Sequence, residues 1–205
     1  MTGGWERKAL RLMEFVAYPA LAGAAFCVLA LGVVTWLPAL AAAAYVLQSW
    51  RTDGVGRCFT GVFAAFPRLW RELWRESVMA TAALALLAAN TAFLWGRPAS
   101  VGYLLLPVQL MLIAALALYC LALAVVTTTE PPARRRRAAL VFAYGTPRRG
   151  LLLLAVLVIA PLAALPIPLG PLLLGPTLPL MLGLSLHAPA AGAGKRPLTR
   201  EVSTA

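Results

Sequence analysis

The stretch PASVGYLLLPVQLMLIAALALYCLALAVVTTT, residues 98–129, decides the fold class because it contains no charged side chain. A helix crosses a bilayer core of about 30 Å with roughly 20 apolar residues, and this stretch is longer than that. Three more uncharged stretches occur, at residues 15–50, 77–96 and 150–194. Each is long enough to cross a bilayer at least once, which predicts an integral membrane protein built from α-helices.

The composition supports the same class. Apolar residues make up 61% of the 205 residues and charged residues 12%, whereas soluble domains are nearer half apolar and about a quarter charged. The formal net charge of +11 suggests a polyanionic partner. Because the basic residues stand in short segments beside apolar stretches, we expect that partner to be a lipid bilayer with anionic headgroups and not nucleic acid.

The basic residues set the expected topology. They collect in residues 1–14, 51–76, 130–149 and the tail after 194, and Arg97 is the one basic residue outside these segments. Short cytoplasmic loops accumulate Lys and Arg, so both termini and the two inner segments are expected in the cytoplasm. Arg far outnumbers Lys in a chain dominated by Ala, Leu, Gly and Pro, which suggests a bacterial source and a multi-pass inner (cell) membrane protein.

Three antiparallel pairs of spans satisfy this topology and form a single transmembrane domain over residues 15–187. The span at 37–50 would reach only about 21 Å at 1.5 Å per residue, so it can instead be a re-entrant helix. Five spans are therefore the alternative to six. In that case the basic segments stay on one side of the membrane only if residues 15–37 also enter and leave from that side. The tail at 188–205 is expected to be disordered in the cytoplasm. The six predicted spans are 15–35, 37–50, 77–95, 102–128, 148–166 and 169–187.

Residues 57–76 have the pattern of an amphipathic interfacial helix. Large apolar side chains recur at intervals of three and four, and arginines fall on the opposite face. Such a helix lies in the headgroup plane, with a docking helix for a partner protein as the alternative reading. Pro67 predicts a bend near Phe66. The predicted interfacial or partner face comprises Phe59, Phe63, Phe66, Trp70 and Trp74, and the expected headgroup-binding residues are Arg68, Arg71 and Arg75.

A run of four arginines lies between the fourth and fifth predicted spans. Arg134, Arg135, Arg136 and Arg137 are expected to bind anionic lipid headgroups at roughly 1 kcal/mol per residue. The alternative is that the run acts only as a determinant of topology, because short cytoplasmic loops accumulate arginine. A short apolar helix is expected at 138–144.

Residue types that carry intramembrane chemistry are missing from the uncharged stretches. All seven acidic residues lie in the flanking segments, so no paired carboxylates can be assembled at membrane depth. Cys27, Cys58 and Cys120 form no CxxC pair, and His187 has no ligand partner at useful spacing. We therefore expect no catalytic site, no cofactor and no metal, and a protein that is not an enzyme.

Two side-chain amides lie inside predicted spans. Asn90 in the third span and Gln109 in the fourth fall at similar depths if the two spans are antiparallel neighbours. A hydrogen bond between them would spare each its desolvation cost, and such bonds contribute well under about 2 kcal/mol in membranes. We expect Asn90 and Gln109 to face the bundle interior and each other, as structural contacts and not as substrate ligands.

Several features resemble those of the YesL-like family of bacterial membrane proteins, a domain family of unknown function. They are LMEF at 12–15, LPALAAAAY at 37–45, the aromatic segment within 59–66, and the short helix at 138–144 before a span. The chain departs from the family at 35–38, with Thr-Trp-Leu-Pro in place of Thr-Ile-Gly-Pro. The resemblance implies a small polytopic protein without assigned catalytic residues, whose relatives often accompany carbohydrate importers of the ATP-binding-cassette class.

Two functional hypotheses follow from these patterns. The first is a non-catalytic accessory or scaffold protein associated with carbohydrate uptake, acting through contacts with an ATP-binding-cassette sugar importer or through self-association. The alternative is a transporter or permease component for a small solute, in which residues 57–66 or 131–145 would serve as the cytoplasmic coupling helix.

Overall fold

The computed structural model describes residues 3–54, 57–95, 99–166 and 169–192. Within these ranges the protein is all-helical and has no strand, which confirms the prediction of an all-α fold. The described residues form eight helices: α1 (Gly3–Ala30), α2 (Trp36–Asp53), α3 (Cys58–Trp95), α4 (Ala99–Val126), α5 (Pro132–Tyr144), α6 (Pro147–Ala163), α7 (Gly170–Leu174) and α8 (Thr177–Gly192).

Four helical segments in the described ranges are long and apolar enough to cross a membrane. A fifth crossing exists if α5 and α6, which meet at 87°, act together as one broken span. α2 is not among the qualifying helices, so the predicted count of six spans is not confirmed. The four segments are Met13–Ala30, Cys58–Trp95, Leu105–Val126 and Gly170–His187.

The predicted interfacial helix at 57–76 is not a separate element. It is the first half of α3, which continues through Pro67 to Trp95, so the helix does not end where the bend near Phe66 was expected. Proline removes one backbone hydrogen bond, but this part of α3 packs closely along α2: a Cβ added at Gly61 would lie 3.2 Å from Val46 Cγ2. At 1.5 Å per residue the 38 residues of α3 extend about 57 Å, roughly twice a bilayer core.

α2, which the sequence marks as the weakest span, forms the centre of the core. Every residue from Leu37 to Ala44 is buried, as are Val46 and Leu47. Its neighbours are α1, α3, α4 and α8, and its row of alanines lets their backbones approach closely. A helix enclosed by protein in this way needs no lipid-facing surface, which explains how so short an apolar segment is accommodated.

The turn between α1 and α2 contacts the middle of α3. The Ser77 hydroxyl donates a hydrogen bond to the Val34 carbonyl, and the Trp36 indole donates to the Thr81 hydroxyl at 3.0 Å. The six-span prediction put this turn at the outer face and Ser77 at the inner end of the third span. Groups in direct contact cannot lie on opposite faces of a bilayer, so these two placements are incompatible.

Candidate functional site

A cleft of about 440 Å³ opens where α2, the first half of α3, the end of α4 and the start of α5 meet. Two regions far apart in sequence, 45–72 and 127–135, contribute to it. Most of its polar side chains are arginines or hydroxyl-bearing residues. The charged and polar lining residues are Tyr45, Ser49, Arg57, Arg68, Glu72, Thr127, Thr128 and Arg135.

Glu72 binds two of the cleft arginines at once. Its Oε1 accepts from Arg68 Nε at 3.2 Å, one helical turn away, and its Oε2 accepts from Arg135 Nη2 at 2.5 Å. The Arg135 side chain is only 9% exposed, and its Nε also donates to the Glu130 carbonyl at 3.2 Å. A buried guanidinium needs such a partner, because desolvating an unpaired charge is costly. Glu72 therefore fixes the position of α5 against α3.

A second ion pair lies one turn further along α3. Arg136 Nη2 approaches Glu76 Oε1 at 2.5 Å, but the Arg136 side chain is 65% exposed. The two acidic residues of α3 thus face two consecutive arginines of α5. The resulting junction, Glu72–Arg135 with Glu76–Arg136, is called the α3–α5 junction below.

The junction corrects the prediction for the arginine run. Arg135 does not face lipid headgroups, since its guanidinium is buried and bound to Glu72. Arg136 and Arg68 each bind a carboxylate of α3, and both side chains remain largely exposed. The remaining predicted headgroup residues are exposed on the surface: Arg71, Arg75, Arg134 and Arg137.

The predicted aromatic face of α3 is divided by the fold. Phe59 and Trp74 are exposed, and the Arg75 guanidinium lies 5.4 Å from the Trp74 ring centroid. Phe63 and Phe66 are half-buried against the core. Trp70 is also half-buried, with its ring centroid 6.1 Å from that of Phe66. Fewer aromatic side chains of this face are therefore exposed than the sequence periodicity predicts.

The two membrane-depth amides are in contact. Asn90 Nδ2 donates to Gln109 Oε1 at 2.9 Å, and Gln109 Nε2 donates to the Leu87 carbonyl at 2.6 Å. The predicted contact is present, and Gln109 is buried. Asn90 itself is an exposed residue, so the expectation that both amides face the interior holds for Gln109 alone.

The sequence interpretation missed Glu72 and Glu76 as partners of the arginine run, and it missed Arg57 as a cleft residue. One signal was available. Two carboxylates four residues apart, in a segment placed beside anionic lipid, need cations as partners, and the run at 134–137 offers cations in addition to the arginines of their own helix. The hydroxyl-bearing residues of the cleft carry no comparable signal, because Ser and Thr occur throughout such chains.

The described site combines hydrogen-bond donors with a set of ion pairs. Within the described ranges no group of three or more His, Cys, Asp or Glu side chains is placed to hold a metal ion. The cleft presents guanidinium N–H donors on a frame held by the Glu72 ion pairs. No family model, no curated protein and no solved structure matches this chain.

Proposed function

We propose that the chain is a multi-pass protein of a bacterial inner membrane that acts as a non-catalytic accessory or scaffold protein. The observation that carries this proposal is the α3–α5 junction: the acidic residues of α3 bind arginines of α5 and thereby build a rigid surface at the basic end of the bundle. The resemblance to the YesL-like family suggests a carbohydrate importer of the ATP-binding-cassette class as the partner.

The contact between the first turn and α3 supports a revised topology. We place α1 and α2 as a re-entrant hairpin that enters and leaves from the cytoplasmic side, with its turn against Ser77 and Thr81. The uncharged second half of α3 then crosses outward and α4 returns, and α5–α6 and α7–α8 supply a second pair of crossings. All four basic segments stay in the cytoplasm, in agreement with the distribution of Lys and Arg.

A permease component is the second candidate, and the cleft is the observation that favours it. The cleft has charged and hydroxyl-bearing side chains in its lining and is large enough for a small solute. However, it is built from the charged halves of α3 and α5, whereas the amides at membrane depth, Asn90 and Gln109, bind each other. An accessory role therefore accounts for the geometry better than a solute pathway through the membrane.

Solute flux separates the two candidates. The purified chain, reconstituted alone in liposomes, is expected to take up radiolabelled mono- and disaccharides no faster than protein-free liposomes. A saturable flux that depends on the protein would contradict the accessory role and favour a permease.

Crosslinking at α3 tests the proposed partner. A photo-crosslinking amino acid at Trp74, exposed on the first half of α3, is expected to capture the membrane subunit of a co-expressed sugar importer from the same host. The same amino acid at Met111, exposed on the membrane half of α4, is the matched control and should capture lipid. Equal capture of the importer from both positions, or from neither, counts against the proposal.

A further inference from the structure

We propose that the cleft between α2, α3, α4 and α5 is a binding site for a phosphate group carried on a small organic body. This site is independent of the accessory role, because a phosphate ligand can bind here whether or not the chain contacts an importer.

The charges that line the cleft favour an anion. Three arginines and one glutamate line it, which leaves a formal excess of two positive charges. Among the described residues no carboxylate pairs with Arg57. Arg68 is 77% exposed and makes its hydrogen bond to Glu72 through Nε, so its two terminal nitrogens take no part in that contact. Guanidinium groups bind phosphate oxygens through paired N–H donors, and these charge-assisted bonds are stronger than neutral ones.

The neutral polar groups of the cleft disfavour an uncharged sugar. The hydroxyls of Ser49, Thr127 and Thr128 donate to carbonyls of their own helices, to Val46 and to residues of α4. Their protons are therefore already engaged, and the donors left for a ligand are the guanidinium groups and the Tyr45 hydroxyl. The acceptors left for a sugar hydroxyl are neutral hydroxyl oxygens, because the one carboxylate in the cleft already binds two arginines. Donors with a full positive charge therefore dominate the cleft, which favours an anion over an uncharged sugar.

The size of the cleft indicates more than a bare ion. A volume of about 440 Å³ lies within the range of about 300–1,000 Å³ usual for small-molecule sites. Part of the lining is apolar, including Val46, Ala65 and Leu69. These side chains would contact an organic body while the arginines bind the phosphate. Both a phospholipid headgroup and a soluble phosphate monoester have this chemistry.

The test uses the full chain purified in neutral detergent and two probes. One is a hexose phosphate in solution, and the other is phosphatidylglycerol in nanodiscs, with phosphatidylcholine nanodiscs as the reference. Binding is measured by calorimetry for the hexose phosphate and by native mass spectrometry for the lipid. Binding of either probe supports the site and identifies its source as soluble or membrane-derived. Binding of neither overturns it.

Matched variants show whether the cleft itself binds. Arg57→Gln and Arg68→Gln are each expected to weaken binding by about tenfold, since each removes a charge-assisted contact. Arg71→Gln removes the same charge from the same helix, but Arg71 does not line the cleft, and it should change affinity by less than about twofold. A loss with Arg71→Gln equal to that with Arg57→Gln and Arg68→Gln would overturn the proposal in favour of diffuse charge attraction.

A filling variant keeps every charge in place. Ala64 lines the cleft and is exposed, so Ala64→Phe is expected to occupy part of the volume without disturbing the core. It should abolish binding while the melting temperature of the protein stays within a few degrees of the parent. Unchanged affinity in a correctly folded Ala64→Phe protein would contradict the site.

Discussion

Glu72 is the carboxylate that neutralises a buried arginine. Arg135 is 9% exposed and contacts the Glu72 carboxylate and the Glu130 carbonyl. Glu76 has a similar position on α3, but its partner Arg136 is 65% exposed. Loss of the Glu72 carboxylate therefore leaves a buried cation without a partner, whereas loss of the Glu76 carboxylate leaves a hydrated one.

Glu72→Gln is expected to lower the free energy of unfolding by about 3 kcal/mol, because it leaves the Arg135 charge buried and unpaired. Glu76→Gln should cost less than about 1 kcal/mol, as is usual for exposed pairs. Thermal unfolding of both variants in the same detergent compares the two losses. Equal losses would contradict the burial argument.

A double variant isolates the pair. Arg135→Met combined with Glu72→Gln removes both charges, so the double variant should be more stable than Glu72→Gln alone. Strict additivity of the two single losses would show that the two side chains do not interact.

Residue-level prediction from the sequence succeeded where the chain itself fixes the geometry. Asn90 and Gln109 lie on consecutive helices joined by a short connection, so their relative depth follows from residue counts. Arg135 and Glu72 lie 63 residues apart, and their contact depends on how α5 folds back along α3. Nothing in local periodicity determines that path, so the arginine run was assigned to lipid headgroups.

At the scale of elements, the close approaches of helices depend on glycines. A Cβ at Gly183 of α8 would lie 2.8 Å from Val125 Cγ2 of α4, and a Cβ at Gly23 of α1 would lie 1.8 Å from the Leu173 carbonyl oxygen of α7. The first obstacle is a side chain, which can be shortened. The second is backbone, which cannot, so the two sites should respond differently to the same substitution.

Gly183→Ala is expected to destabilise the protein by about 1–2 kcal/mol through overpacking. Adding Val125→Ala removes the obstructing methyl groups, so the double variant should lose less stability than the sum of the two single variants. Gly23→Ala should cost more than Gly183→Ala, since only displacement of α7 can relieve it. Melting temperatures of the variants in one detergent check this order.

Gly54→Ala serves as the comparison for a purely conformational cost, because Gly54 has φ +69° and an added Cβ would meet nothing within 4 Å.

The elements show why the sequence predicts some boundaries and not others. The bounds of α4 and α6 follow closely from apolar length and from Pro147 in the first turn. The continuity of α3 was not predicted, because Pro67 is a strong local signal for a break and the support from α2 is tertiary. Likewise, α2 was assigned as a span from the distribution of basic residues although its length falls short, and only the tertiary structure shows that its neighbours bury it.

At the scale of the whole molecule, the two N-terminal hairpins differ in height. The α1–α2 turn ends beside Ser77 and Thr81, and α3 continues for another 14 residues from Thr81 to Trp95, about 21 Å at 1.5 Å per residue. The α3–α4 hairpin therefore extends well past the first one. A re-entrant first hairpin keeps all the basic segments on one side and explains this difference in height.

Sidedness of labelling at three positions tests this topology most directly. Cys27, Cys58 and Cys120 are first replaced by alanine, and single cysteines are then introduced at Val33, Trp95 and Arg137. Val33 in the first turn is 71% exposed and Trp95 at the end of α3 is 82% exposed, so neither is shielded by protein. A membrane-impermeant maleimide is applied to right-side-out and to inverted membrane vesicles.

The account predicts that Trp95→Cys reacts in right-side-out vesicles, that Arg137→Cys reacts only in inverted vesicles, and that Val33→Cys does not react in right-side-out vesicles. Reaction of Val33→Cys in right-side-out vesicles, alongside Trp95→Cys, would place the first turn at the outer face and contradict the re-entrant hairpin.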